Sequence, residues 1–233
     1  MQALRAGSTI RRLGIILAVC GIAAPLTFAA GILIAGASSP GFSHSRQVIS
    51  ELAVADSPAG LIQNINFVVF GVLIVAFARG LHLGIDDSQS ASGPMLMASS
   101  GAANITEAFL PCDRGCELVS LVGSLHDWIA MFAFLSAITG IFLLSRRLGA
   151  DPRWGRAYQR YSVLTAGAAF VALVVWLAIG APSPTWMPRI VTRVPGVNGT
   201  LQRVAVAIVL VWIEVMALRL AVLLYRSRSI DSR

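Results

Sequence analysis

The sequence predicts an all-α integral membrane protein: one bundle of six transmembrane helices with a short outward interfacial helix. Three observations predict it. Of the 233 residues, 56% are hydrophobic and 12% charged, about half the roughly 25% charged content of a soluble domain. Six apolar runs, at about 13–36, 60–81, 93–111, 124–146, 162–181 and 199–224, each approach the ~20 residues a helix needs to cross a bilayer. They are too long and too uniformly apolar for β-barrel strands of ~10 alternating residues. Finally, all 18 basic residues are arginine: twelve lie on one side of the runs, five on the other, and Arg219 within the last run. The positive-inside rule then places both termini on the cytoplasmic side of a cell membrane. One membrane domain, 1–233, uses the whole chain. The net charge of +7 is accounted for by topology and attraction to lipid headgroups, which excludes nucleic acid as the partner.

The first run follows Arg11 and Arg12 and exceeds the ~7–15 residues of a signal-peptide core, so it reads as a retained span. After it, the loop 37–60 turns at Pro40-Gly41 and enters a short helix over 45–53. There Val48, Ile49 and Leu52 share one face, opposite Arg46, Gln47, Ser50 and Glu51, the pattern of an interfacial helix. Gln63, Asn64 and Asn66 open the second run. A polar linker with Asp86-Asp87 leads to the third, and 112–123 returns outward. In the fourth run Ala130, Ala133 and Ala137 form a stripe of small residues, which favours close helix packing and offers a face for homo- or hetero-oligomers. Asp151-Pro152 predicts the start of the fifth helix. The last outward loop carries Pro182, Pro184, Pro188 and Pro195, and Trp186 with Met187 suits it to lie on the membrane as a lid.

The residues with chemistry gather at the outward ends. Ser100, Asn104 and Glu107 are spaced i, i+4, i+7 and form one helical stripe. Glu107 sits about one turn inside the end marked by Pro111; an ionisable group there marks a functional site or a buried pair, here with Arg114. Cys112 and Cys116 enclose Asp113, and two thiols this close on an oxidising face form a disulfide or, alternatively, a metal or redox pair. His126, followed by Asp127, opens the fourth run at the same level. Its imidazole is a candidate general base held by a carboxylate, a metal ligand, or a hydrogen-bonded structural group. His44, Ser50 and Glu51 come to this face from the first loop, and Arg189, Arg193 and Arg203 from the last. Glu214 lies apart, deep in the last run, where Arg79 is a candidate partner. No P-loop, His-Glu-x-x-His, Gly-x-Ser-x-Gly or haem-attachment pattern occurs, so no cofactor is assigned.

Pro40-Gly41-Phe42-Ser43-His44, Ile49-Ser50-Glu51-Leu52-Ala53 with Ser57-Pro58 after it, and Phe109-Leu110-Pro111-Cys112-Asp113-Arg114-Gly115-Cys116 followed by His126 occur in this order. In these segments the chain resembles the six-span bacterial membrane proteins grouped as the DUF998 family. The resemblance covers most of the chain and implies its fold and topology; it implies no activity.

Function must therefore come from the residues. The leading expectation is hydrolysis or group transfer on a lipid or lipid-linked substrate at the outer leaflet. Glu107, His126, Asp127, Glu51 and Ser50 are the catalytic candidates, with Asn66, Asn104, Arg189 and Arg193 binding substrate, the two arginines holding an anionic headgroup. His44 and Asp113 are candidate metal ligands. A lipid-binding accessory subunit is the alternative, ahead of a proton-coupled transporter using Glu107 and Glu214. Membrane lipids are the expected partners of all three.

Overall fold

The computed structural model describes residues 2–231 except 55, 56, 58, 86–89, 118, 181–193 and 195. Among the described residues the protein is all-helical. Six α-helices follow one another: α1 Gln2–Ala37, α2 Gly60–Gly84, α3 Ser92–Glu107, α4 Leu121–Ala150, α5 Gly155–Ile179 and α6 Asn198–Asp231. Two short 3₁₀ helices, Ile49–Ala53 and Arg114–Cys116, lie in the connections. Each α-helix packs on its neighbours in the chain, and α6 closes back on α1, so the helices form a ring. Five of them are long and apolar enough to cross a membrane.

The exception is α3. Its 16 residues span about 24 Å at ~1.5 Å per residue, short of a hydrocarbon core of ~30 Å. The expected run extends to residue 111, but the helix stops at Glu107 and a turn follows, with Leu110 N–H donating to the Glu107 carbonyl at 3.2 Å. Pro111 lies just beyond; a proline disfavours helix in the residue before it and has no N–H to continue the ladder. Glu107 therefore terminates its helix rather than lying a turn inside it.

Two helix crossings owe their closeness to glycine. A Cβ on Gly101 would stand 2.7 Å from the Gly71 carbonyl oxygen, and one on Gly140 3.1 Å from that of Gly93. These contacts bring α3 against α2 on one side and α4 on the other, the small-residue packing of membrane helices. Between α5 and α6 a polar pair does comparable work, with Trp212 Nε1 donating to the buried Ser162 hydroxyl at 2.9 Å.

At the end holding Ile85 and the 151–154 connection, several polar side chains bond one another and backbone carbonyls. Arg147, 3% exposed, donates to the Ile85 carbonyl at 3.1 Å. Arg153 forks onto Asp151 and also reaches the Gly84 carbonyl at 3.1 Å, while Arg219 donates to the Arg153 carbonyl. Asp151 caps the end of α4, and α5 starts four residues later at Gly155, whose φ of +77° glycine adopts without strain. The expected helix start at Asp151-Pro152 is thus a turn between two helices.

The segment 45–53 also departs from expectation. It forms a single 3₁₀ turn, with Ile49, Ser50, Leu52 and Ala53 buried, instead of lying on a membrane surface. Leu52 and Ala53 are fully enclosed and Val48 and Ile49 3% exposed. Its apolar face found the mouth of the helix ring, and it caps the bundle there.

Candidate functional site

Beneath that cap lies a cavity with about 710 Å³ of empty space, its open mouth included. Residues from α1, α2, α3, α4, α6 and the cap line it, and α5 does not. Most of the wall is apolar, with Phe28, Phe70, Ile74, Met97, Phe134 and Ile213 around it. Phe28 stacks on Phe70 with ring centroids 4.3 Å apart, which fixes one wall. Ala130, Ala133 and Ala137 face this space, where their short side chains leave room inside the ring.

Five polar side chains interrupt the wall: Ser50, Ser100, Asn104, Glu107 and Gln202. The α3 stripe delivers three of them, as the helical period requires. Asn104 Nδ2 donates to the Ser100 carbonyl at 2.9 Å. Gln202 Oε1 accepts from the Ile49 amide at 2.7 Å, tying the cap to α6. Glu107 is 5% exposed, and its carboxylate makes no hydrogen bond to any described residue. Buried polar groups are nearly always paired, so an open carboxylate against a cavity marks a place for a partner.

The cap is held by residues that sequence reasoning had cast as chemical. Glu51 accepts from the Val48 amide at 3.0 Å and from Gln47 Nε2 at 2.9 Å, closing the turn in which it sits. Arg203 donates to the Gln47 and Gly199 carbonyls and approaches His44 Nδ1 at 3.2 Å. Burial first, and the Arg203 charge second, hold the His44 pKa below its usual 6.5. Thr200 N–H donates to the Ser45 carbonyl at 3.0 Å. The first loop is therefore bolted to the start of α6.

Cys112 and Cys116 form a disulfide, with Cα atoms 5.1 Å apart. Gly115, at φ +70°, supplies the left-handed turn that lets the two meet. The Cys112 sulfur lies 3.3 Å from the Ser50 carbonyl oxygen, so the disulfide loop leans on the cap. Asp113 accepts from the Val119 and Ser120 amides at 3.0 and 2.8 Å, just ahead of α4. The Ser120 bonds are the main reason its pKa is lowered.

His126 and Asn66 also have structural partners. His126, 1% exposed, places Nδ1 2.6 Å from the Leu110 carbonyl and leaves Nε2 buried without a partner. Asn66 donates to the Phe28 carbonyl at 3.1 Å and joins α1 to α2. Neither lines the cavity, nor does Asp127, although its charge acts on Glu107.

Of the expected site residues, the cavity gathers Ser50, Asn104 and Glu107. Glu51, His44, Asp113, His126, Asp127 and Asn66 stand outside its lining. His44 and Asp113 are engaged on different elements, and no group of three His, Cys, Asp or Glu side chains suited to a metal occurs among the described residues. Arg189 and Arg193 lie outside the described residues, as do Trp186 and Met187. Glu214 is away from the cavity, with one carboxylate oxygen buried and unpartnered. Sequence reasoning missed Gln202. Its signal was the stripe Gln202, Val206, Val209 and Ile213, which repeats at helical spacing.

The family model described as a protein of unknown function, DUF998, matches residues 22–219. No curated protein matches the chain, and no solved structure does.

Proposed function

The chain belongs to the DUF998 family of proteins of unknown function, and on that premise we propose that it binds a membrane amphiphile, with the apolar chain in the cavity and the polar head beside Glu107. The observation that carries this reading is the unpaired, buried Glu107 carboxylate at the edge of an otherwise aromatic and aliphatic space. Membrane helices gain little by burying apolar side chains from lipid, so an apolar cavity persists where a lipid chain fills it. The cap and disulfide loop then keep the walls in place while the chain resides.

In this reading the bundle crosses the cell membrane six times, with the short α3 as one crossing and both termini cytoplasmic. The arginine asymmetry supports that orientation, and it puts the cap at the outer leaflet. Cysteines introduced at Ser45 and Ser90, both exposed, test it in a Cys20→Ser background. Ser45→Cys reacts with an impermeant maleimide from outside and Ser90→Cys only after permeabilisation; the reverse pattern would invert the assignment.

Photo-crosslinking tests binding itself. A phospholipid with a diazirine midway along one acyl chain labels Met97 and Phe134 in the wild type. Ala133→Trp, which fills the space from α4, abolishes that labelling without unfolding the bundle. Labelling confined to lipid-facing residues such as Leu164 and Phe170, exposed on α5, would refute chain binding.

Hydrolysis or group transfer remains the second reading. One observation favours it: the Ser50 hydroxyl and the Glu107 carboxylate border the same cavity, and a carboxylate beside a hydroxyl is the minimal pair for an activated nucleophile. Its test is product release from radiolabelled membrane lipid by wild type, absent in both Ser50→Ala and Glu107→Gln. Turnover unaffected by either change removes this pair from the chemistry.

A further inference from the structure

We propose that this site selects amphiphiles by a head that donates hydrogen bonds, an amine or a hydroxyl, and rejects phosphate and carboxylate heads. The proposal rests on the reading that the cavity holds a lipid chain, and it names which head that chain carries.

The polar groups of the lining decide it. Among the described residues no Arg or His borders the cavity, and the chain has no lysine. Glu107 presents only oxygen acceptors when ionised. Asn104 places one N–H on the Ser100 carbonyl, which leaves its oxygen as a further acceptor and its second N–H as a donor. Gln202 has given its oxygen to Ile49, which leaves its amide nitrogen as a donor, so the described lining offers neutral donors but no cation. The two serines adapt to either role.

The surrounding charge has the same sign. Asp127 acts on Glu107, and Asp113 acts on Asp127, so two more carboxylates stand behind the first. Arg203, next to Gln202 in the chain, is directed to the Gln47 and Gly199 carbonyls and to His44. It belongs to the cap. A phosphate or carboxylate seeks Arg forks or other cations, and the described lining holds none to offset its charge, which is costly at a buried contact. An ammonium makes a charge-assisted bond to Glu107, and a hydroxyl makes a neutral one. The expectation that arginines hold an anionic headgroup thus gains no support from the described lining.

The test compares four single-chain probes that differ only in the head: hexadecylamine, hexadecanol, hexadecyl phosphate and hexadecanoate. Each is added at equal mole fraction to nanodiscs holding the full chain, and bound probe is counted by native mass spectrometry. Amine and alcohol bind at least about ten-fold more tightly than phosphate and carboxylate. Glu107→Gln weakens the amine about ten-fold and the alcohol less than about three-fold, because the amide oxygen still accepts a bond but carries no charge. Phosphate binding as tight as the amine overturns the selection. Four probes binding alike also overturns it, while leaving chain binding intact. If none binds, chain binding itself fails and the selection with it. The wild-type series decides these outcomes even if the variant does not fold.

Discussion

The two ends of the bundle use similar side chains to opposite purpose. At the connector end, Asp151 is 1% exposed and receives Arg153 through both carboxylate oxygens, and Arg147 and Arg219 donate to neighbouring backbone carbonyls. At the capped end, Glu107 is 5% exposed and receives nothing from the described residues. Buried carboxyls that are paired fasten helices together; a buried carboxyl left open beside a cavity costs stability that a ligand offsets. The difference teaches where to look for function, since burial alone does not separate the two acids. Their partners do.

The sharpest way to break this contrast is to remove each acid. Asp151→Ala strands Arg153 and loosens the α4–α5 turn, lowering unfolding free energy by about 2–3 kcal/mol. That is less than the ~3–5 kcal/mol of a fully buried pair, because the Arg153 side chain is 47% exposed. Glu107→Leu does the reverse: it removes a buried polar group without a partner and stabilises the ligand-free protein by about 1 kcal/mol. Denaturation in mixed micelles measures both. If the two substitutions destabilise alike, Glu107 is a fastening residue and the contrast fails.

The disulfide sharpens the same comparison from the capped side. Cutting a five-residue loop, as Cys112→Ser with Cys116→Ser does, removes about 2 kcal/mol of chain-entropy restraint. The expected loss is local. Hydrogen exchange of the amides of 47–53 accelerates, because the Cys112 sulfur rests on the Ser50 carbonyl, while the amides of 151–160 keep their protection. Uniform acceleration would mean that the disulfide stabilises the whole bundle instead of the cap.

Acid produces a smaller effect with a definite sign. His44 is depressed below 6.5 by burial and by Arg203, so the folded cap binds fewer protons than the unfolded chain. Its contribution is complete above about pH 6.5 and declines as pH falls through and below that value. Exchange in 47–53 therefore quickens between pH 7.5 and 5.5, and His44→Gln abolishes that dependence. Asp113, held low by the Ser120 bonds, supports the start of α4 above the ordinary carboxylate range and releases it only in stronger acid. Asp113→Asn removes that late step and leaves the His44 step in place.

Much of this molecule was legible in its sequence for a plain reason. Hydropathy is an additive property, so the helices could be located to within a few residues at most ends, and the 3.6-residue period put Ser100, Asn104 and Glu107 on one stripe. Cys112 and Cys116 were legible as a pair from their short spacing on one outward face. What was not legible depended on backbone partners. Glu51, Asp113 and His126 are bonded to amides or carbonyls of irregular segments, and no spacing rule predicts which loop backbone a side chain will meet. The alanine stripe was ambiguous for a related reason: small residues permit close packing but equally permit a cavity, and the choice depends on what faces them. Gln202 was overlooked because an isolated amide in an apolar run looks incidental until its partner, the Ile49 amide, is in view.

The central proposal is that the capped end binds an amphiphile whose head meets Glu107. A structure of the full chain grown from a lipidic mesophase tests it most directly. The account predicts elongated density between Phe70, Met97 and Phe134 that ends in a polar group within about 3 Å of a Glu107 oxygen. A cavity closed by its own side chains, with Glu107 paired to Arg114 or another protein group, would contradict it.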